Sequence, residues 1–198
     1  MRFLRLFATH EDEKAKVKLR YCHVKHLRMQ LLDASDEQKE VLAAVHQLGQ
    51  NVMVNSVAGS GKTTSSLHIA KFNPTKSVLL LTYNKKLKEE TRCKAIAYLL
   101  RNLEVHNYHA MGIRYYALSC YNDTELRKVV ESNTSPRTQL PSYDIIIIDE
   151  AQDMTKIYHA FIHKIIRDVY SLHGKIPKLV VVGDENQCIF KFMKADSR

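Results

Sequence analysis

The stretch VNSVAGSGKTTSSLHIA, residues 54–70, decides the fold. NVMVNSV, residues 51–57, reads as a short buried strand, and GKTTSSLHIAKF, residues 61–72, as the helix that follows. Between them lies a glycine-containing turn. Glycines let backbone N–H groups close around an anion, and a helix N-terminus adds a favourable positive potential. The candidate phosphate-binding residues are Ala58, Gly59, Ser60, Gly61, Lys62, Thr63 and Thr64. Lys62 is placed to reach the β- and γ-phosphates of a nucleotide, and Thr63 to offer its hydroxyl to Mg²⁺. The general pattern carries glycine where Ser56 stands here, and a small residue still fits.

Working outward, apolar strands alternate with helical stretches. KSVLLLTY (76–83), YDIIIIDE (143–150) and PKLVVVGD (177–184) are near-continuous apolar runs of the kind found in parallel sheets covered on both faces. EVHNY (104–108) reads as a further short strand. Helices are expected where Ser35 can cap DEQKEVLAAVHQLG, with Gly49 ending it, and over 85–103 and 110–121. A fifth is expected over 155–172, where Ile157, Phe161, Ile165 and Val169 recur at helical spacing. ESNTSPRTQLPSY, residues 131–143, reads as a loop. The pattern predicts an α/β domain with a mostly parallel sheet and helices on both faces.

IIIIDEAQD, residues 145–153, ends a strand in Asp149 and Glu150. Ligands in open parallel sheets lie at the carboxyl ends of the strands, where the phosphate loop also lies. Asp149 can support Mg²⁺, and Glu150 can take a proton from an attacking water. VVVGDENQCIFKF, residues 180–192, adds Asp184 and Gln187 at the same edge, with Gln187 a candidate γ-phosphate sensor. Phe190 and Phe192 either stack on bases or pack the domain.

The succession DEQKEV, AGSGKTT, LLLTYNKKLKEE, NYHAMG, IIIIDEAQD and VVVGDENQCIF resembles the ordered motifs of UvrD/Rep-like superfamily 1 DNA helicases over about residues 32–196. TYNKK and NYHAMG resemble the F-box DNA helicase branch more than the bacterial repair enzymes. The resemblance implies a P-loop NTPase with a RecA-like ATP-binding lobe at 32–198; residues 1–31, basic and without clean periodicity, read as an N-terminal extension. It implies ATP and Mg²⁺ as cofactors and single-stranded DNA as partner. It assigns Gln38 to adenine recognition, Gln187 to coupling of the γ-phosphate with the DNA site, and Tyr83, Asn84, His109, Phe190 and Phe192 to the DNA path. Where the family continues Arg-Gly-Ala, this chain has Met193, Lys194 and Ala195.

The resemblance further implies a second RecA-like lobe, which the sequence does not reach by Arg198. Hydrolysis is expected to need it, and an orphan nucleotide-binding module without useful turnover is the alternative. Only about 35 residues separate His109 from the IIIIDE strand, so no accessory subdomain is expected there. DEAQD and GDENQ argue against a small-molecule kinase.

Net charge is +9, and residues 1–30 hold eight Lys/Arg against three Asp/Glu, which suits an acidic partner. The four cysteines, Cys22, Cys93, Cys120 and Cys188, lack CxxC spacing and are expected to be reduced intracellular thiols. Neither CHVKH (22–26) nor His159 with His163 carries the remaining residues of a zinc motif. No apolar run approaches the ~20 residues of a membrane span, and residues 1–14 make a poor signal peptide. The chain is expected inside the cell: in the nucleus if eukaryotic, otherwise in the cytoplasm.

Overall fold

The computed structural model describes residues 31–47, 50–55, 61–83 and 85–184. Five strands, β1 (Val52–Asn55), β2 (Val78–Thr82), β3 (Leu103–Asn107), β4 (Ile145–Ile148) and β5 (Lys178–Gly183), form one sheet in the order β1-β5-β4-β2-β3. Every pairing is parallel. The strand ahead of the phosphate loop and the strand ending in the acid pair are therefore separated by β5.

Val78–Leu81 and Ile145–Ile148 have almost no exposure because successive side chains enter different cores. Leu79, Leu81, Ile146, Ile148 and Val181 join one cluster, while Val78, Leu80, Ile145, Ile147, Val180 and Val182 join the other. Helices α1 (Asp36–His46), α2 (Lys62–Phe72) and α3 (Lys85–Ala97) cover the second face. Helices α4 (Tyr108–Tyr115), α5 (Asp123–Glu131) and α6 (Lys156–His173) cover the first.

Local chemistry sets the helix ends. Ser35 and Gln38 form a reciprocal capping box at the start of α1. Thr155 caps α6, and Gly174, at φ +66°, closes it in the left-handed conformation. Helix α3 stops well short of residue 103: Leu99 adopts φ +57° and turns the chain into β3. Helix α4 starts at Tyr108 and ends at Tyr115, so it is shorter than the expected 110–121. Helix α5 went unread in the sequence. Its signal is Asn122, whose side chain accepts from the Glu125 N–H at 2.9 Å, but only Leu126 and Val129 of the helix are buried.

Edge strand β3 is locked by a buried polar network. The Glu104 carboxylate accepts from His106 Nε2 at 2.7 Å and from the hydroxyls of Tyr115 and Tyr143. Arg92 Nη2 lies 3.1 Å from His106 Nδ1. A guanidinium only donates, so Nδ1 accepts and Nε2 carries the proton given to Glu104. Burial pushes the Glu104 pKa up, but these donors outweigh it and hold the carboxyl at about 2. The network fixes the strand whose end, Asn107, caps α4.

Cysteine chemistry departs from expectation. Cys93 is disulfide-bonded, whereas Cys120 is free and buried. Sequence spacing does not reveal which cysteines fold brings within the ~6 Å Cα separation that a bond requires. Among the described residues no helix is long and apolar enough to cross a membrane, and no group of three or more His, Cys, Asp or Glu is arranged to hold a metal ion.

Candidate nucleotide site

Parallel pairing brings the carboxyl ends of all five strands to one edge. Asn55 pairs with Gly183, Ile148 with both Leu81 and Val181, and Thr82 with Asn107. The residues just beyond those ends are the ones the sequence singles out. Gly61, Lys62, Thr63 and Thr64 open α2; Asp149 and Glu150 follow β4; Asp184 follows β5; Tyr83 and His109 follow β2 and β3. Ala58, Gly59, Ser60, Asn84, Gln187, Phe190 and Phe192 lie outside the described residues, as do Cys22, His23 and His26.

Gly61 is the N-cap of α2 at φ +85° and ψ +26°, a conformation that glycine adopts without strain. A Cβ built there would lie 3.2 Å from Gln38 Nε2, so Gln38 stands against the phosphate loop. Its Oε1 accepts from the Ser35 N–H at 3.0 Å, which uses one of the two carbonyl lone pairs. Thr63 and Thr64 occupy the first turn of α2 and are half-buried.

Lys62 Nζ donates to Glu150 Oε2 at 2.9 Å, across 88 residues of sequence. The two side chains are 10% and 27% exposed, so the pair is shielded from bulk solvent. Glu150 itself is left-handed, with φ +52° and ψ +49°. A non-glycine residue in that region costs roughly 1–2 kcal/mol and persists only where its surroundings hold it. A 3-10 turn, Ala151–Asp153, follows at once.

Asp149 is 1% exposed. Its Oδ1 accepts from the Glu150 N–H at 3.0 Å, and its Oδ2 is buried with no hydrogen-bond partner. Burial, reinforced by the charge of Glu150, raises its pKa to about 6. A buried carboxylate oxygen without a donor, beside a phosphate loop, fits a divalent cation. Asp149 and the Thr63 hydroxyl are the groups that would hold it. The cation, when bound, supplies charge neutralisation to the phosphates.

That geometry carries a stability cost. The raised pKa means the folded chain favours the protonated acid, so stability declines as pH rises from the unfolded value near 3.8 through about 6. Asp149→Asn is expected to remove this penalty and stabilise the metal-free protein by about 1–2 kcal/mol at neutral pH. Thermal unfolding between pH 4 and 8 tests this; a variant less stable than the parent at neutral pH would count against it.

A second cluster sits at the ends of β2 and β3. The Tyr158 ring stacks on Tyr108 at 4.2 Å and 4° and meets the edges of Tyr83 and His109 at 6.0 and 5.9 Å. Asp123 Oδ1 accepts from the Tyr158 hydroxyl and lies 2.9 Å from His109 Nε2. Tyr83 is 42% exposed, whereas Tyr158 is buried. The structure thus joins Tyr83 and His109 through a residue the sequence reading passed over. Tyr158 adjoins the apolar stripe begun by Ile157 and looks like part of it. His159 and His163 face each other with Nε2 atoms 2.9 Å apart on α6.

A phosphate loop and an acid pair meeting at the carboxyl edge of an all-parallel sheet define a P-loop NTPase. The model of the AAA domain family, a UvrD/Rep-like, P-loop helicase-related family, matches residues 38–193, and the chain belongs to that family. It is a nucleotide-binding P-loop module, and domains of this kind generally bind nucleotide together with a metal. The match does not single out the F-box helicase branch. No curated protein matches the chain.

Proposed function

We propose that this chain is the ATP-binding lobe of an ATP-dependent DNA helicase. Lys62 and the loop before it hold the phosphates, Thr63 and Asp149 hold Mg²⁺, and Glu150 is the general base. Gln187 senses the γ-phosphate, and Gln38 reads the adenine. The observation that carries the reading is the Lys62–Glu150 contact at 2.9 Å beside the partnerless Asp149 oxygen. It brings the phosphate grip, the base and the metal acid within one side chain's reach of each other. Full turnover is completed by a second RecA-like lobe. In the family this chain resembles, that lobe brings arginines to the γ-phosphate from across a cleft, and such arginines are worth about 10³–10⁵ in rate for phosphoryl transfer.

Single-stranded DNA is contacted by Tyr83, Asn84, His109, Phe190 and Phe192. TYNKK and NYHAMG favour the F-box branch. A DNA partner implies the nucleus or the cytoplasm.

Binding to a fluorescent oligonucleotide is expected to be weak, salt-dependent and tolerant of sequence. Tyr83→Ala and Phe192→Ala should each weaken it by roughly 1–3 kcal/mol, about five- to a hundredfold. Neither removes a charge, so the salt slope should stay that of the parent. Unchanged affinity in both folded variants would reduce the aromatics to packing. Mg-ATP binding with no turnover, even when a second lobe is supplied, would favour the orphan-module reading.

A further inference from the structure

The turn after Glu150 carries a side chain that no role above uses. Gln152 Nε2 donates to Glu150 Oε2, the same oxygen that receives Lys62. The Gln152 Oε1 in turn accepts from the Asp184 N–H, at 3.4 Å, at the end of β5. The left-handed backbone of Glu150 makes this possible. It folds the chain back so that a residue two positions on reaches the carboxylate. A primary amide offers donors on one side and an acceptor on the other. Here both sides are used at once, which fixes the side chain's orientation.

These contacts have a consequence once phosphate arrives. A nucleotide phosphate competes with Glu150 for Lys62. Among the described residues, Gln152 is then the remaining side-chain donor to the carboxylate. It pins Oε2 and leaves Oε1, which accepts no hydrogen bond among the described residues, to face a water. We propose that Gln152 is a positioning residue. It holds the Glu150 carboxylate in its proton-accepting orientation after Lys62 has turned to phosphate, and it ties that orientation to the end of β5. The inference deepens the reading of Glu150 as the base and rests on it.

The test uses the 198-residue chain and three variants: Gln152→Leu, Gln152→Asn and Glu150→Gln. Leucine fills similar volume without polar atoms, and asparagine keeps the amide but is one methylene too short to span both partners. For each, the dissociation constant for labelled Mg-ATP, the single-turnover hydrolysis rate and the melting temperature are measured. Gln152→Leu and Gln152→Asn should hydrolyse at least about tenfold more slowly than the parent, since small misplacements of a catalytic group carry penalties of that order or more. Their ATP affinity should stay within about twofold of the parent's. A merely structural role would lower affinity, rate and melting temperature together, and that outcome overturns the proposal. So does hydrolysis at the parent's rate in Gln152→Leu while Glu150→Gln is inactive. If Glu150→Gln also hydrolyses at the parent's rate, or the parent shows no single-turnover hydrolysis even with a second lobe supplied, the reading of the base fails and the inference falls with it.

Discussion

Glu150→Gln is expected to leave Mg-ATP bound and to slow its hydrolysis by about 10²–10⁴, the usual worth of a positioned general base. Glutamine keeps the shape and one acceptor but is far too weak a base to take the proton. The structure adds a second expectation. Glu150 holds Lys62 at 2.9 Å. A neutral side chain releases that ammonium, so the variant should bind ATP at least as tightly as the parent. Slow hydrolysis with unchanged or improved affinity is a signature that damage to the fold does not produce. The measurement is single-turnover hydrolysis beside an equilibrium titration. The isolated chain should itself be slow, so long time courses are needed. A variant that turns over at the parent's rate would remove Glu150 from its role.

Lys62→Ala should cost roughly 1.5–3 kcal/mol of nucleotide binding, the worth of a charged hydrogen bond, or about ten- to a hundredfold in affinity. Two features of the site act on that figure in opposite directions. In the parent, phosphate must displace Glu150 from Lys62, which reduces what the lysine contributes. In the variant, Glu150 remains part-buried without its cation and repels the incoming phosphates. Titration of labelled ATP with and without Mg²⁺ measures the sum. Equal affinity in parent and variant would sink the assignment of the phosphate loop.

The strands were legible because their residues are buried on both faces and therefore read as unbroken apolar runs. Val78–Thr82 and Ile145–Ile148 need no tertiary information to be recognised. The phosphate loop and the acid pair were legible because each couples a short motif to the end of such a run. What stayed hidden are meetings between side chains far apart in sequence. Nothing local to Lys62 announces Glu150, 88 residues away, as its partner. Nor does DEAQD reveal that Gln152 turns back onto the acid, because that depends on one left-handed residue. Helix α5 was missed for a different reason: its buried stripe is two residues wide, and its start lies in the Asn122 cap. Cys93 shows the same limit, since bridge formation depends on folded distance and not on spacing.

Gln38 closes the first turn of α1 and also lies against Gly61. Its amide therefore answers to two masters. In its proposed role, Gln38 keeps one carbonyl lone pair for a base while the other accepts from Ser35. The first turn of the helix would then act as a ballast on recognition: it keeps the glutamine ready in place, and anything that frays that turn would retune base reading without touching the nucleotide.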